Sequence, residues 1–158
     1  MTRYWLMKSE PQECSIDDAL AAARAKVPWT GVRNYQARNF MRDDMRVGDG
    51  VLFYHSSCPE PGIAGIARVA SACRADPTQF DRSSPYFDAA ASPEKPRWLL
   101  VDVKALKKTR LLSLAELRTT AALADLLVLK KGSRLSITPV SDDHWHLIVG
   151  ELLAAGRG

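Results

Sequence analysis

Polar and aromatic residues in this chain gather at the breaks between apolar runs, where a side chain can meet a ligand instead of the core. Lys8-Ser9-Glu10 closes the run Tyr4 to Lys8, and Trp29-Thr30-Gly31-Val32-Arg33-Asn34 follows Pro28. His55-Ser56 ends the run Val51 to Tyr54, and Lys131-Gly132-Ser133-Arg134-Leu135-Ser136 joins basic residues to hydroxyls. The chemistry open to such a set is recognition. An indole in a turn offers a face on which a nucleobase stacks, worth about 1 to 3 kcal/mol, and a carboxylate such as Glu10 accepts from an exocyclic amine like N4 of cytosine. Each residue also has a plainer reading. Trp29 is open to a role as a plug for the core beneath its loop, Glu10 to that of a surface acid before Pro11, and Arg33, Arg38 and Arg42 to that of a solvated helix face.

Covalent chemistry finds less support. The sequence contains no GxSxG, GxxxxGK[ST], HExxH or GxGxxG, the signatures of a nucleophile elbow, a phosphate loop, a zinc hydrolase and a dinucleotide site. His55 with Cys14 or Cys58 as a dyad has nothing further to orient it. His55 and Cys58 form an HxxC with Cys73 as a third ligand, but no fourth follows, so neither a metal nor a cofactor is expected. Three cysteines without a CxxC pair suit a reducing compartment. With no run of roughly 20 apolar residues and no secretory leader, a soluble cytoplasmic protein is expected. A chain of 158 residues, 46% hydrophobic, buries one ordinary core, so residues 1–158 are read as a single domain.

The net charge of +4 is unevenly spread: ten basic side chains face three acidic ones between Lys95 and Arg134. Lys104, Lys107, Lys108, Arg110, Lys130, Lys131 and Arg134 lie there, the footprint of a surface that meets phosphates or of a solvated basic face. Charge alone leaves both open.

The elements that must position these residues follow from pattern. Tyr4 to Lys8 reads as a buried strand ended by Ser9-Glu10-Pro11. Ser15 with Asp18 three residues on marks a helix start before the alanine-rich Ala19 to Ala25, and Asn34 caps a second helix over Tyr35 to Arg42. Val51 to Tyr54 and Ile63 to Val69 read as strands; the small Ala64, Gly65 and Ala67 indicate a close backbone neighbour. Asp76 to Pro96, broken by Pro77, Pro85, Pro93 and Pro96, is a long loop whose Phe80, Tyr86 and Phe87 pack down. Trp98 to Leu106 alternates as a half-buried strand, Leu135 to Thr138 gives another, and Ser113 and Ser141 cap two further helices, the second over Asp142 to Leu153. Trp5, Trp98 and Trp145 fall in such patterns and read as core. The order lacks βαβ alternation, so an α+β fold with antiparallel strands, a bent or closed sheet and peripheral helices is expected.

YWLMKSEP (4–11), WTGVRNYQARNFMR (29–42), VLFYHSS (51–57), PGIAGIA (61–67), DPTQF (76–80), RWLLVDV (97–103) and RLSITP (134–139) together resemble the EVE domain family, collinearly and over nearly the whole chain. The resemblance implies a PUA-like fold, shared with YTH and ASCH domains: a bent, barrel-like, mostly antiparallel sheet surrounded by helices. It implies a non-enzymatic pocket for a modified base, C5-modified cytosine such as 5-methylcytosine in DNA being the ligand class linked to the family. Carried over, Ser9, Glu10, Trp29, Val32, Arg33, Asn34, His55, Ser56, Phe80, Arg134, Leu135 and Ser136 line that pocket. Lys8, Arg38, Lys130 and Lys131 are added as phosphate contacts, with Arg33 or Arg134 holding the base's own phosphate. Thr30 stands where the family commonly has an aspartate. Three alternatives stay open: an RNA-binding module, an enzyme on a modified nucleotide with His55 and Glu10 as acid and base, and a module whose basic segment meets an acidic protein.

Overall fold

The computed structural model describes residues 2–130 and 135–155. Six strands form one sheet in the order β2-β7-β4-β3-β1-β8, where β1 is Tyr4–Ser9, β2 Lys26–Pro28, β3 Gly50–His55, β4 Gly62–Val69, β7 Asp102–Ser113 and β8 Ile137–Val140. Two short strands, β5 (Arg74–Ala75) and β6 (Leu99–Leu100), pair separately. Every neighbouring pair in the main sheet is antiparallel except β1 with β3. The helices are α1 (Ile16–Ala21), α2 (Tyr35–Asn39), α3 (Leu114–Thr119), α4 (Asp142–Leu147) and α5 (Leu153–Ala155), with π-helical turns extending α2 and α4.

Side chains alternate between two cores because successive residues of a strand point to opposite faces. Trp5, Met7, Val51 and Phe53 enter one cluster with Ile16 and Ala19 of α1 and with Ala37 and Met41 of the second helix. Leu6, Leu52 and Tyr54 enter the other with Leu117 of α3, Ile148 and Leu153. Both faces of the central strands are therefore dry, which is why they read as unbroken apolar runs. Register shifts at Phe53/Tyr54, Ile63/Gly65 and Ile66/Ala67 are bulges that bend the strands. The sheet curls far enough that Val27 and Pro28 of edge strand β2 and Ser136, just ahead of the opposite edge strand β8, line one cavity. This is the bent, barrel-like, mostly antiparallel α+β architecture expected.

The helix starts are those the caps indicated. Ser15 and Asp18 form a full capping box, Asn34 accepts from the Ala37 N–H, and Ser113 and Ser141 cap α3 and α4. The alanine-rich run does not stay helical to Ala25: α1 stops at Ala21, and Arg24 and Ala25 adopt left-handed φ of 58° and 54°, turning the chain into β2. Trp98 precedes β6 instead of lying in a strand, and β7 runs on from Leu106 to Ser113. The long loop is pinned from inside by Gln79, fully buried, whose amide donates to the Asp76 and Trp98 carbonyls at 2.7 Å and accepts from the Arg97 and Trp98 N–H groups at 3.0 and 2.9 Å. Phe80 and Tyr86 are half-buried, but Phe87 is exposed and does not pack down. Among the described residues no helix is long and apolar enough to cross a membrane, and no three His, Cys, Asp or Glu side chains gather as a metal site.

Candidate nucleic-acid interface

A cavity of about 560 Å³ opens where β1 and β3 end and the curled edges of the sheet approach. Its walls carry Lys8, Ser9, Glu10, Trp29, Val32, Ser56 and Ser136, seven of the residues singled out from the sequence, together with Glu13, Cys14, Val27, Pro28, Thr30, Gly31, Ser57 and Tyr86.

Trp29 takes the plainer of its two readings, a plug in the core, and its ring also lines the cavity. Its N–H extends the β2–β7 ladder by donating to the Val101 carbonyl at 2.9 Å, and its ring meets Phe53 edge-on at 5.2 Å and 79°. It is 6% exposed and a member of the first core, yet it lines the cavity. The loop then turns at Gly31, whose φ of +84° suits a residue without a Cβ; a methyl there would come within 2.6 Å of the Tyr86 ring. So Tyr86 lies directly against the Trp29–Asn34 loop. Its hydroxyl donates to Glu13 Oε1 across the cavity mouth, and burial, then that bond to a carboxylate, pushes its pKa up to about 12.

Arg33 does not reach the cavity. All five of its N–H donors are committed: Nε and Nη2 to the Tyr86 carbonyl at 3.2 and 2.8 Å, Nη1 to the Val32 carbonyl at 2.9 Å and Asp76 Oδ2 at 3.1 Å, and Nη2 also to Thr78 Oγ1 at 3.0 Å. Asp76 accepts in addition from the Gly31 N–H at 2.9 Å and from Thr78. Burial alone would raise the Asp76 carboxyl, but the bonds from Thr78, Gly31 and Arg33 hold it below the usual carboxylate range. Arg33 is thus a clamp between two loops, with no donor left for a phosphate.

Other expected pocket residues also stand elsewhere. Asn34 is exposed and its oxygen caps α2. His55 accepts from the Ile16 N–H through Nε2 at 3.1 Å, so it caps α1 as neutral imidazole; burial lowers its pKa. It is consequently not placed to act as an acid or base in the cavity. Phe80 ends the 3₁₀ turn Pro77–Phe80 without reaching the cavity wall, and Leu135 packs against the first core. Of the phosphate candidates, Lys8 lines the cavity, its pKa lowered by burial. Arg38 lies over the Tyr35 ring at 4.7 Å and bonds Asn39 and the Arg97 carbonyl. Lys130 is exposed away from the walls. Lys131 and Arg134 lie outside the described residues.

The remaining groups suit hydrogen bonding, not bond making. Ser9 Oγ donates to the Cys14 carbonyl at 2.7 Å and keeps its acceptor capacity. The Cys14 thiol, raised in pKa by burial and then by Asp18, stays protonated at neutral pH. Carboxylates of Glu10 and Glu13, the Lys8 ammonium and the hydroxyls of Ser56, Ser57 and Ser136 complete a rim that offers both donors and acceptors around an aromatic wall. Glu13 was not singled out from the sequence, and Gly31 and Tyr86 were named there without being placed in the pocket. Tyr86 gave only its aromaticity within a loop, and its position depends on contacts with residues more than fifty positions earlier.

A curled, mostly antiparallel sheet with peripheral helices and one polar, aromatic cavity between its edges defines a PUA-like domain. Within that class the chain belongs to the EVE domain family, whose profile matches residues 3–151. It is 36% identical to human thymocyte nuclear protein 1 over 94% of this chain and 73% of that protein. A crystal structure of a protein from Pseudomonas putida is 51% identical, with a TM-score of 0.88 over 93% of this chain and 97% of that one. The human THYN1 protein, crystallised in complex with 5-methylcytosine-containing DNA, is 36% identical, with a TM-score of 0.88 over 94% of this chain and 96% of that one.

Proposed function

We propose that this domain is a non-enzymatic reader of DNA that takes a C5-modified cytosine, out of its duplex stack, into the 560 Å³ cavity beside Trp29. The observation that carries the reading is the joining of an indole wall to a rim of donors and acceptors in a fold whose human relative was crystallised on 5-methylcytosine-containing DNA. The base stacks on Trp29. Glu10 or Glu13 accepts from the N4 amine, and Lys8 with the serine hydroxyls donates to the acceptors on the base edge. Stacking worth about 1 to 3 kcal/mol offsets much of the few kcal/mol needed to expose the base. No bond in the base is made or broken, in keeping with a protonated Cys14 and a His55 engaged elsewhere.

The test is tryptophan fluorescence titration at fixed salt with matched oligonucleotides carrying cytosine, 5-methylcytosine or 5-hydroxymethylcytosine, as DNA and as RNA. The expected result is tighter binding to a modified DNA form. Equal, salt-sensitive binding to every form would sink the proposal, and stronger binding to the RNA series would move the ligand to RNA. Unchanged nucleosides and oligonucleotides after long incubation are expected; a released product would make the protein an enzyme.

A further inference from the structure

Three basic residues stand directly opposite one another across three strands. Lys26 of β2 pairs in register with Lys104 of β7, and Lys104 pairs in register with Arg68 of β4. Residues so opposed point to the same side of the sheet, where like charges destabilise the pairing. Their alternate neighbours Val27, Val103, Ala105, Ala67 and Val69 face the core that holds Trp29, so the three cations are on the opposite face from that indole. The same transverse line continues through Gly50 of β3 and Tyr4 of β1. There Trp145 of α4 stacks on Tyr4 at 4.3 Å and fills the space over Gly50, where a Cβ would meet its ring at 2.7 Å. Helix α4 thus covers one part of the line and leaves the charged part open: Lys26 and Arg68 are exposed and Lys104 is half-buried.

Nothing among the described residues neutralises this row. Among the described residues none of the three joins an ion pair. Asp102, the one acid in β7, is held bidentately by Arg74 at 2.9 and 3.0 Å. Further along the strand, Lys108 and Arg110 are already matched by Asp17 and Glu116. Lys107 and the exposed Leu106 extend the open surface.

We infer that the Lys26–Lys104–Arg68 row is a second nucleic-acid contact, separate from the cavity and seated on the backbone phosphates of a duplex. Three adjacent strands set the row at roughly 10 Å, a length over which a duplex presents about six phosphates. The repulsion that the row carries alone is relieved when those phosphates replace mobile counterions. The inference rests on the proposed function in taking DNA as the ligand, and it adds that the domain holds DNA on two faces, reading on one and gripping on the other.

The experiment compares the intact protein with the triple variant Lys26→Gln, Arg68→Gln, Lys104→Gln, titrating matched duplexes with cytosine or 5-methylcytosine across a salt series. Each lost phosphate contact lowers the slope of log K against log salt by about 0.9, so the variant slope is expected to be shallower by roughly 2 to 3, with the ratio between modified and unmodified duplex unchanged. Its melting temperature at low salt is expected to match or exceed that of the intact protein, because like charges are removed from an exposed surface. An unchanged slope would overturn the inference. So would a variant that keeps the DNA slope but no longer binds phosphatidylserine vesicles retained by the intact protein, since the row would then serve a lipid surface. Loss of base discrimination in the intact protein would instead count against the cavity reading, whatever the slope.

Discussion

Arg33 does more for the site than a phosphate contact would, because it fixes the cavity wall beside Trp29 against Tyr86. Its fork joins Asp76, Thr78 and the Tyr86 carbonyl to the Trp29–Asn34 loop, and a lysine ammonium cannot reproduce that planar set. Arg33→Lys is expected to lower stability by about 1 to 3 kcal/mol and to weaken binding of modified DNA, read by urea denaturation alongside titration. Gly31→Ala should act on the same wall by strain at φ +84° and collision with the Tyr86 ring, lowering the melting temperature and loosening base discrimination together; unchanged discrimination would show that Tyr86 is not part of the reading surface. Trp29→Phe, which keeps a ring against Phe53, should leave the fold intact while reducing affinity for the modified base by up to about 3 kcal/mol. Trp29 was legible in the sequence as an indole placed in a turn, whereas the commitment of Arg33 was not. Its partners Asp76 and Tyr86 lie more than forty residues away, and nothing local distinguishes a clamp from a phosphate ligand.

At the scale of elements, α1 is joined to the sheet in two ways that substitution can separate. His55, the last residue of β3, accepts the first N–H of the helix, and Ile16 lies so close over Gly65 that a Cβ there would meet its side chain at 2.5 Å. Because burial lowers the His55 pKa, neutral imidazole is favoured by folding, and the contribution is complete above the ordinary value of 6.5. It is lost as pH falls from there through the lowered folded value, where the unfolded chain binds more protons. The melting temperature should therefore decline on acidification below about pH 6.5, and His55→Gln, which keeps an acceptor without titrating, should remove that part of the decline. A variant with the same acid profile as the parent would show that the cap is not the titrating device. Gly65→Val is expected to cost about 1 to 3 kcal/mol by overpacking, read from the urea midpoint. Capping serines, Asn34 and the central strands could be seen in advance because each signal spans only a few residues. Strand β2 could not: it is three residues long, ends in proline and is held by β7. The far half of β7 was hidden because its bulge breaks the alternation at Leu106 to Lys108.

For the whole molecule the decisive fact is that one sheet walls both cores. Trp5 and Leu6 are chain neighbours serving different clusters, so neither cluster can melt while the other keeps its shape. Fluorescence and far-ultraviolet circular dichroism should accordingly report one coincident urea transition; separated midpoints would show two independently stable halves. That the chain makes a mostly antiparallel, bent sheet with peripheral helices could be inferred from its element order, but which segments the curl brings around one cavity, Val27 and Pro28 with Ser136, could not, since that arises from register shifts between distant strands. The position of β1 carries a consequence for synthesis of the chain. Its neighbours are β3 and β8, so the apolar segment Tyr4–Ser9 leaves the ribosome early but gains its second partner only once Val140 has been made, on the order of ten seconds later at ordinary translation rates. Over that interval an interior strand waits with at least one edge unpaired, which makes the nascent polypeptide, more than the finished domain, the form prone to aggregate.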